Sequence, residues 1–496
     1  MNRVWKGSQK PYLNAALALV AVSTVLRAFW SARVDLSPDE AYYWFWSLSP
    51  AWGYLDHPPM LAWLVGLFSG MVPGELGVRL PALLLGASSQ LLLYKLCTDL
   101  WGSARWGLAV VIAINSTVLF SAGACLSTPD APLIFFWLAS LYLLARALDH
   151  DGTTLWLSAG IFAGLALLSK YTAGLLGITA VAYLLSSKKR MKHLKKPGPY
   201  LGLLAAFVVF LPNLVWNAEH GFVSMGFQTA HIIRGSGSGF FQNLGEFLAG
   251  QALLVNPLIF FTALFAFSSR RFARAAGEPA AFFRYFFAIP FLLFLAAGCA
   301  KKLEANWPAV AWPAAMVLVI GLYKWGLRTP SLARTARMAA WLGVAMGLTM
   351  VAIAYVHSAS PFLPTPPKRD PTARLRGWHE LARDVSNARD TIEGGHLPLY
   401  TRRYQEASIL AFYDRKHSPP RAFGPGWRKS QFDLYPDPVS EDDAALILWE
   451  TGIHVPLGLS QPGRLKRIGH LTRRDKGTLL TSYDIYLRSA LEQRRK

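Results

Sequence analysis

Cysteine is scarce in this chain of 496 residues: Cys97, Cys125 and Cys299 are the three present, each within an apolar stretch. An odd number at such positions supplies no disulfide framework, and small core residues are the simpler account. Charge is thin at 16% of residues, and negative charge thinner, with 29 Asp and Glu against 50 Lys and Arg and a formal net charge of +21. Such an excess of base would suit a nucleic acid. However, the bases sit mainly in short loops between apolar runs, as the positive-inside rule describes, so nucleic-acid binding is rejected. No Gly-rich loop of the Walker or Rossmann kind occurs, which argues against direct use of ATP or a dinucleotide. No internal repeat is evident, which weighs against many transporter architectures.

Apolar residues are abundant instead: 53% of the chain, with 18 Trp and a mean hydropathy of +0.28. Runs of about 20 apolar residues can cross a bilayer as helices, which satisfy their own backbone polar groups. The class expected is an α-helical polytopic membrane protein. Arg3, Lys6 and Lys10 precede the first run, 11–30, which lacks a small-x-small cleavage site and reads as a retained span with a cytoplasmic N-terminus. Residues 32–79 then form a large outer loop, in which Met60–Met71 is apolar but too short to cross and is expected along the interface. Further spans are expected at 80–100, 105–124, 131–148, 154–170, 172–187, 200–216, 243–267, 284–300, 307–325 and 338–357, eleven in all. An odd count agrees with the charges. Lys188, Lys189, Arg190, Lys192, Lys195 and Lys196 fall inside, as do Arg270, Arg271, Arg274, Lys324, Arg328, Arg334 and Arg337.

The composition changes after residue 358. Pro361–Pro367 reads as a stiff linker, 372–390 as helical, and His396–Arg402, Ala444–Glu450 and Leu479–Leu487 as short strands. The organisation expected is a transmembrane domain over 1–357 and a small C-terminal α/β periplasmic domain over 358–496 that contributes to acceptor access rather than bond-making.

Ser37–Pro59, SPDEAYYWFWSLSPAWGYLDHPP, packs Asp39, Glu40, Asp56 and His57 among aromatic side chains that suit a membrane–water boundary. A solvated aromatic belt is the plain alternative, but short connections between spans do not need four ionisable groups in two tight pairs. Other outer-face groups recur where spans emerge: Asp130, Glu219, Glu246 and Glu304 among the acids, and Arg79, Lys170, Arg234, Lys301 and Lys302 among the bases, with His220 and His231 nearby. Singly, each base reads as a snorkelling anchor. Together, such cations suit a phosphate and the carboxylates a hydroxyl. Lys170 and Lys301 are the preferred phosphate pair, with Arg234 and Lys302 as further candidates. A divalent metal ion is a candidate cofactor, with Asp56, His57 and His220 as available ligands; their spacing matches no metal signature, and a hydrogen-bonded Asp56–His57 pair is the simpler account.

Several segments resemble one family. They are Asp39-Glu40-Ala41-Tyr42-Tyr43-Trp44, Tyr54-Leu55-Asp56-His57-Pro58-Pro59, Thr128-Pro129-Asp130-Ala131-Pro132-Leu133 and Ser169-Lys170-Tyr171-Thr172. Pro212–Asn217, Ala305-Asn306-Trp307-Pro308, Arg374-Leu375-Arg376-Gly377-Trp378 and Ser430-Gln431-Phe432-Asp433-Leu434 complete the set. In this order they resemble the bacterial family 39 glycosyltransferases, relatives of dolichyl-phosphate-mannose protein mannosyltransferases and of the aminoarabinose transferase acting on lipid A. The resemblance implies a GT-C-type transmembrane bundle, a polyprenyl-phosphate sugar donor, and inverting transfer on the periplasmic side of the inner membrane. By motif it places the catalytic acid at Asp39, with Glu40 and Asp130 in support. Tyr42, Tyr43, Tyr54, Asp56, His57 and Asn306 are then the candidates for contact with acceptor or sugar. In the aminoarabinose branch a basic residue stands where this chain has Tyr42 and Tyr43, and an acid–Lys pair where it has Asp56-His57. These departures point away from aminoarabinose and lipid A as the particular substrates.

The reading is a membrane glycosyltransferase whose acceptor is a lipid, glycan or protein. A transporter or flippase of a lipid-linked glycan is the alternative, but it would gather its charges near the bilayer midplane rather than at outer helix ends. Ala41–Trp46 can form a helix after Pro38, with its dipole favouring an ionised Asp39 near the N-terminus. The competing reading is that Asp39 only caps that helix.

Overall fold

A computed structural model describes residues 9–150, 152–233, 239–392, 397–422, 429–435, 443–455 and 465–490, with side chains of 230–233 excepted. The chain divides into two compact units. The first comprises Met1–Phe29, His57–Leu61 and Arg79–Ala354; the second comprises Trp30–Asp56, Ala62–Val78 and Tyr355–Lys496. The outer loop therefore falls largely with the C-terminal region, where the sequence reading drew a single boundary after residue 357.

The first unit is helical. Among the described residues, seven helices are long and apolar enough to cross a membrane: Lys10–Ser31, Gly74–Trp101, Asp130–His150, Gly198–Glu219, Arg270–Ala300, Trp307–Arg328 and Ala333–Ala359. Three further expected spans are shorter apolar helices or a broken one: Thr153–Leu167, Tyr171–Leu185, and Ala104–Asn115 followed by Val118–Gly123. The expected span 243–267 is not straight. Phe240–Val255 and Pro257–Ser268 meet at a bend of 107°. Asn256 makes the corner at φ +82°, and its Oδ1 accepts from Leu258 N at 3.0 Å. Asparagine tolerates positive φ better than most residues, and Pro257 begins a helix without needing an N–H partner.

Small residues set the tightest helix packing. A Cβ on Gly160 would lie 1.9 Å from Gly202 O, and one on Gly202 would lie 2.7 Å from Trp156 O. Helices in lipid associate by such close approach, because apolar burial there gains little over lipid contact. Trp307–Arg328 lies deepest, with Trp312 and Met316 fully buried among Phe260, Phe287 and Phe291.

In the second unit a five-stranded sheet has the order β2-β1-β3-β5-β4, from Leu399–Thr401 (β1), Arg421–Ala422 (β2), Ala445–Glu450 (β3), Leu465–Asp475 (β4) and Thr478–Arg488 (β5). β1 runs parallel to β2 and β3, and β5 antiparallel to β3 and β4. The two-residue turn Lys476-Gly477 has φ of +47° and +85°, the primed geometry that matches the twist of a hairpin. Helices Trp378–Asp390 and Tyr404–Tyr413 accompany the sheet, and Pro38–Ser47 packs on Tyr404–Tyr413 through Tyr42, Trp44 and Phe412. Met60–Met71 is a separate 12-residue helix, as its length predicts.

Candidate functional site

The Ser37–Pro59 motif begins with a capped helix. Pro38–Ser47 has Ser37 as its N-cap: Ser37 Oγ accepts from Glu40 N at 3.3 Å, and Glu40 Oε2 accepts from Ser37 N at 2.9 Å. This reciprocal box satisfies two of the helix's orphan donors. It also corrects the capping alternative, since Ser37 and Glu40 do that work and Asp39 does not. Glu40 is fully buried by the arrangement. Asp39 stands in the first turn with its side chain 33% exposed, and Arg374 Nη2 donates to its Oδ2 at 2.8 Å. A guanidinium at one oxygen orients the carboxylate.

Tyr42 points the opposite way, into the core of the second unit. Its hydroxyl donates to Asp56 Oδ2 at 2.9 Å and accepts from Gln431 N, and its ring packs on Tyr404 with centroids 4.3 Å apart. Burial, with the Asp56 carboxylate beside it, pushes the Tyr42 phenol well up. Tyr54 is fully buried, donating to Trp46 O and accepting from Ala51 N at 3.1 Å each. Gln431 Oε1 accepts from Leu55 N at 2.8 Å, and Phe432 stacks on Phe45 at 4.5 Å. Asp35 Oδ2 accepts from Trp378 N at 2.8 Å. Both tail motifs, around Arg374 and Gln431, therefore fold against the loop motif within one unit.

The first unit holds a separate polar cluster at the N-terminal end of Asp130–His150. Lys170 Nζ lies 2.7 Å from Asp130 Oδ1, with side chains 11% and 8% exposed, and Asn306 Nδ2 donates to Asp130 Oδ2. Both carboxylate oxygens are thus engaged, by residues 40 and 176 positions away. Lys301 follows the helix Arg270–Ala300, is buried, and has its ammonium 5.5 Å from the Trp307 ring centroid. Burial pushes its pKa below the ordinary lysine value, a desolvation that a bound anion would offset. Lys302 is exposed and lies 3.1 Å from Glu246.

Residues 56–216 match the family model described as dolichyl-phosphate-mannose-protein mannosyltransferase. The chain is 30% identical over 307 residues to the lipid A galacturonosyltransferase RgtD of Rhizobium johnstonii, covering 59% of this chain and 63% of that protein. It is 28% identical over 165 residues to the undecaprenyl phosphate-alpha-4-amino-4-deoxy-L-arabinose arabinosyl transferase of Pseudomonas aeruginosa, covering 32% of this chain and 30% of that protein. The chain thus spans less than two thirds of the length of the curated relatives it matches. The structure matches the crystal structure of ArnT from Cupriavidus metallidurans bound to undecaprenyl phosphate, with a TM-score of 0.65 at 15% identity, over 95% of this chain and 97% of that one.

The chain has the GT-C fold.

On this GT-C frame the expected site residues separate by role. Asp130, Lys170 and Asn306 are brought together. Asp39 keeps partial exposure, whereas Glu40 is drawn into the helix cap. Tyr42, Tyr54 and Asp56, expected at acceptor or sugar, are bonded into the core of the second unit, because a buried hydroxyl or carboxylate must find partners where it lies. Tyr43 packs edge-on against Trp46 at 5.0 Å. His220 stacks on Trp216 and has Nδ1 2.8 Å from Trp216 O, which occupies one of the two nitrogens a metal would need. Among the described residues no group of three His, Cys, Asp or Glu gathers to hold an ion, so Asp56, His57 and His220 do not form the ligand set considered from sequence. Arg234 and the side chain of His231 lie outside the described residues. Arg374 is the partner that sequence reasoning missed as a site residue. Its signal in the sequence is its place in the Arg374–Trp378 motif, within the tail expected to contribute to acceptor access.

Proposed function

We propose that the chain is a membrane glycosyltransferase that moves a sugar from a polyprenyl-phosphate donor to an envelope acceptor on the periplasmic face of the inner membrane, with inversion. The similarity to a lipid A galacturonosyltransferase over 307 residues carries the reading, because a fold alone does not fix an activity. That relative makes lipid A the first acceptor to test, ahead of another glycan or a protein, and a uronic acid the first sugar.

In the proposed step the acceptor oxygen attacks the anomeric carbon, and the bond from that carbon to the phosphate oxygen breaks. The polyprenyl phosphate leaves with the electron pair, and the acceptor proton passes to Asp39. The Arg374 contact supports Asp39 as base, since it fixes the carboxylate without occupying both oxygens. General-base catalysis of this kind contributes about 10²–10⁴-fold. Lys301 is the favoured cation for the departing phosphate, because its burial disfavours the charged form and a bound phosphate would offset that desolvation. Lys170, Lys302 and Arg234 remain further candidates, and Asn306 with Asp130 would steady that group. Cations aimed where charge develops are the largest single contribution in many such sites.

The bend at Asn256 resembles the broken helices of transporters. Its corner, however, is a neutral side chain whose Nδ2 donates to Gly343 O at 2.6 Å, not a charged relay. Mass spectrometry of envelope glycolipids from cells with and without the intact protein tests the reading. Loss of one sugar from one glycolipid is expected, and an unchanged glycolipid and glycoprotein profile would reject it.

A further inference from the structure

Only 11% of the apolar stretch of the helix Ala333–Ala359 is buried, yet the helix crosses the rest of the first unit closely at Gly343 and Gly347. A Cβ at Gly347 would lie 2.0 Å from Ser116 O, and Gly343 O accepts from Asn256 at 2.6 Å. Between that crossing and Arg328 lies a cavity of about 570 Å³, walled by Ala104–Asn115, Pro257–Ser268, Trp312–Arg328 and Ala333–Ala359. Its lining is almost wholly apolar, and Phe261, Phe265 and Trp341 on its wall are 62%, 56% and 75% exposed, so it opens sideways. An apolar cavity of this kind excludes water, and in a bilayer the available filler is a hydrocarbon chain.

Charge decides which lipid. One end of the cavity is formed by Tyr323, Gly326, Leu332 and Thr335, and Arg328, Arg334 and Arg337 follow or adjoin these residues in sequence. From Gly321 to Ala345 the chain has four bases and no acid. Lys324 donates to Trp101 O at 2.7 Å, whereas the three arginines are exposed. Guanidinium groups on residues next in sequence to one end of an apolar slot between helices suit a phosphate headgroup rather than a zwitterion.

We propose that this cavity is a binding site for an anionic phospholipid, with one acyl chain between the last span and the bundle and the phosphate on Arg328, Arg334 and Arg337. None of the lining residues belongs to the Asp39 or Asp130 clusters, and the proposal does not depend on glycosyl transfer. Its occupant would fill the gap between the last span and the bundle that lies between Gly343 and the close approach of Gly326 to Ala336.

Native mass spectrometry of the purified, delipidated full chain tests the proposal, with phosphatidylglycerol and phosphatidylcholine of equal chain length as probes. The wild type should prefer phosphatidylglycerol by about tenfold. The double variant Arg334→Gln/Arg337→Gln, at exposed positions, should bind the two lipids nearly equally. Ala340→Phe should lose binding of both lipids while its circular dichroism and melting stay those of the wild type; if it does not fold, the double variant decides alone. Equal binding of both lipids by the wild type would overturn the proposal. So would unchanged binding in folded Ala340→Phe, or displacement of phosphatidylglycerol by equimolar undecaprenyl phosphate, which would assign the cavity to a polyprenyl lipid.

Discussion

Asp130 illustrates how a single side chain can be legible in kind but not in partnership. The Thr128-Pro129-Asp130 turn, Lys170 and Asn306 each stand out in the sequence, yet nothing local links positions 40 and 176 residues apart. The structure joins them because a lysine and a carboxylate at low exposure need each other. Asp130→Ala leaves the Lys170 ammonium buried without its partner and should destabilise the folded chain by about 3–5 kcal/mol. The double variant Asp130→Ala/Lys170→Met should recover part of that loss in thermal unfolding. A double variant no more stable than Asp130→Ala would mean that the pair is not what holds the cluster. Glu40 shows the converse: Ser37-x-x-Glu40 is a capping-box signature visible in sequence, and the structure forms it.

Among elements, those governed by hydrophobic length were readable and those governed by tertiary contacts were not. Met60–Met71 appears with the expected bounds, and most long spans agree within several residues. The bend at Asn256 was missed because a hydropathy window senses composition, not the φ of one residue. β4 was missed because its pattern, LKRIGHLTRRD, lacks the apolar alternation of a half-buried strand; it sits at the sheet edge, paired on one side only by β5. The helix Tyr404–Tyr413 carries a pH-sensitive element. Burial lifts Glu406 to about 7, with the nearby Arg403 opposing the rise. The folded state therefore holds this proton more tightly than the unfolded chain. Its contribution is full below the ordinary Glu range near 4.5 and is lost as the pH rises through about 7. Unfolding temperatures of the full chain should fall from pH 5 to pH 8, and Glu406→Gln should fall less. Identical pH slopes in the two proteins would show that Glu406 does not titrate in this window.

At the scale of the whole molecule, the class was readable because bilayer thickness imposes long apolar runs, whereas the pairing of outer loop with tail was not. Asp35 with Trp378, Asp39 with Arg374 and Leu55 with Gln431 are contacts across more than three hundred residues, and no local pattern announces them. Topology remains a prediction of parity. Five expected spans separate residue 193 from the tail, one of them the bent segment Phe240–Ser268. Tags at these two positions should report opposite sides of the membrane. Both on one side would mean that the bent segment re-enters rather than crosses, and would reverse the placement of the tail.

Sugar transfer by Asp39→Asn, compared with wild type in the same membranes, bears on the proposed chemistry at its decisive atom. Asparagine can still accept from Arg374, and the helix cap belongs to Ser37 and Glu40, so insertion, folding and donor binding should be retained. The side chain cannot take a proton at neutral pH, and turnover should fall at least about a hundredfold. Near-normal turnover by this variant would contradict Asp39 as the base.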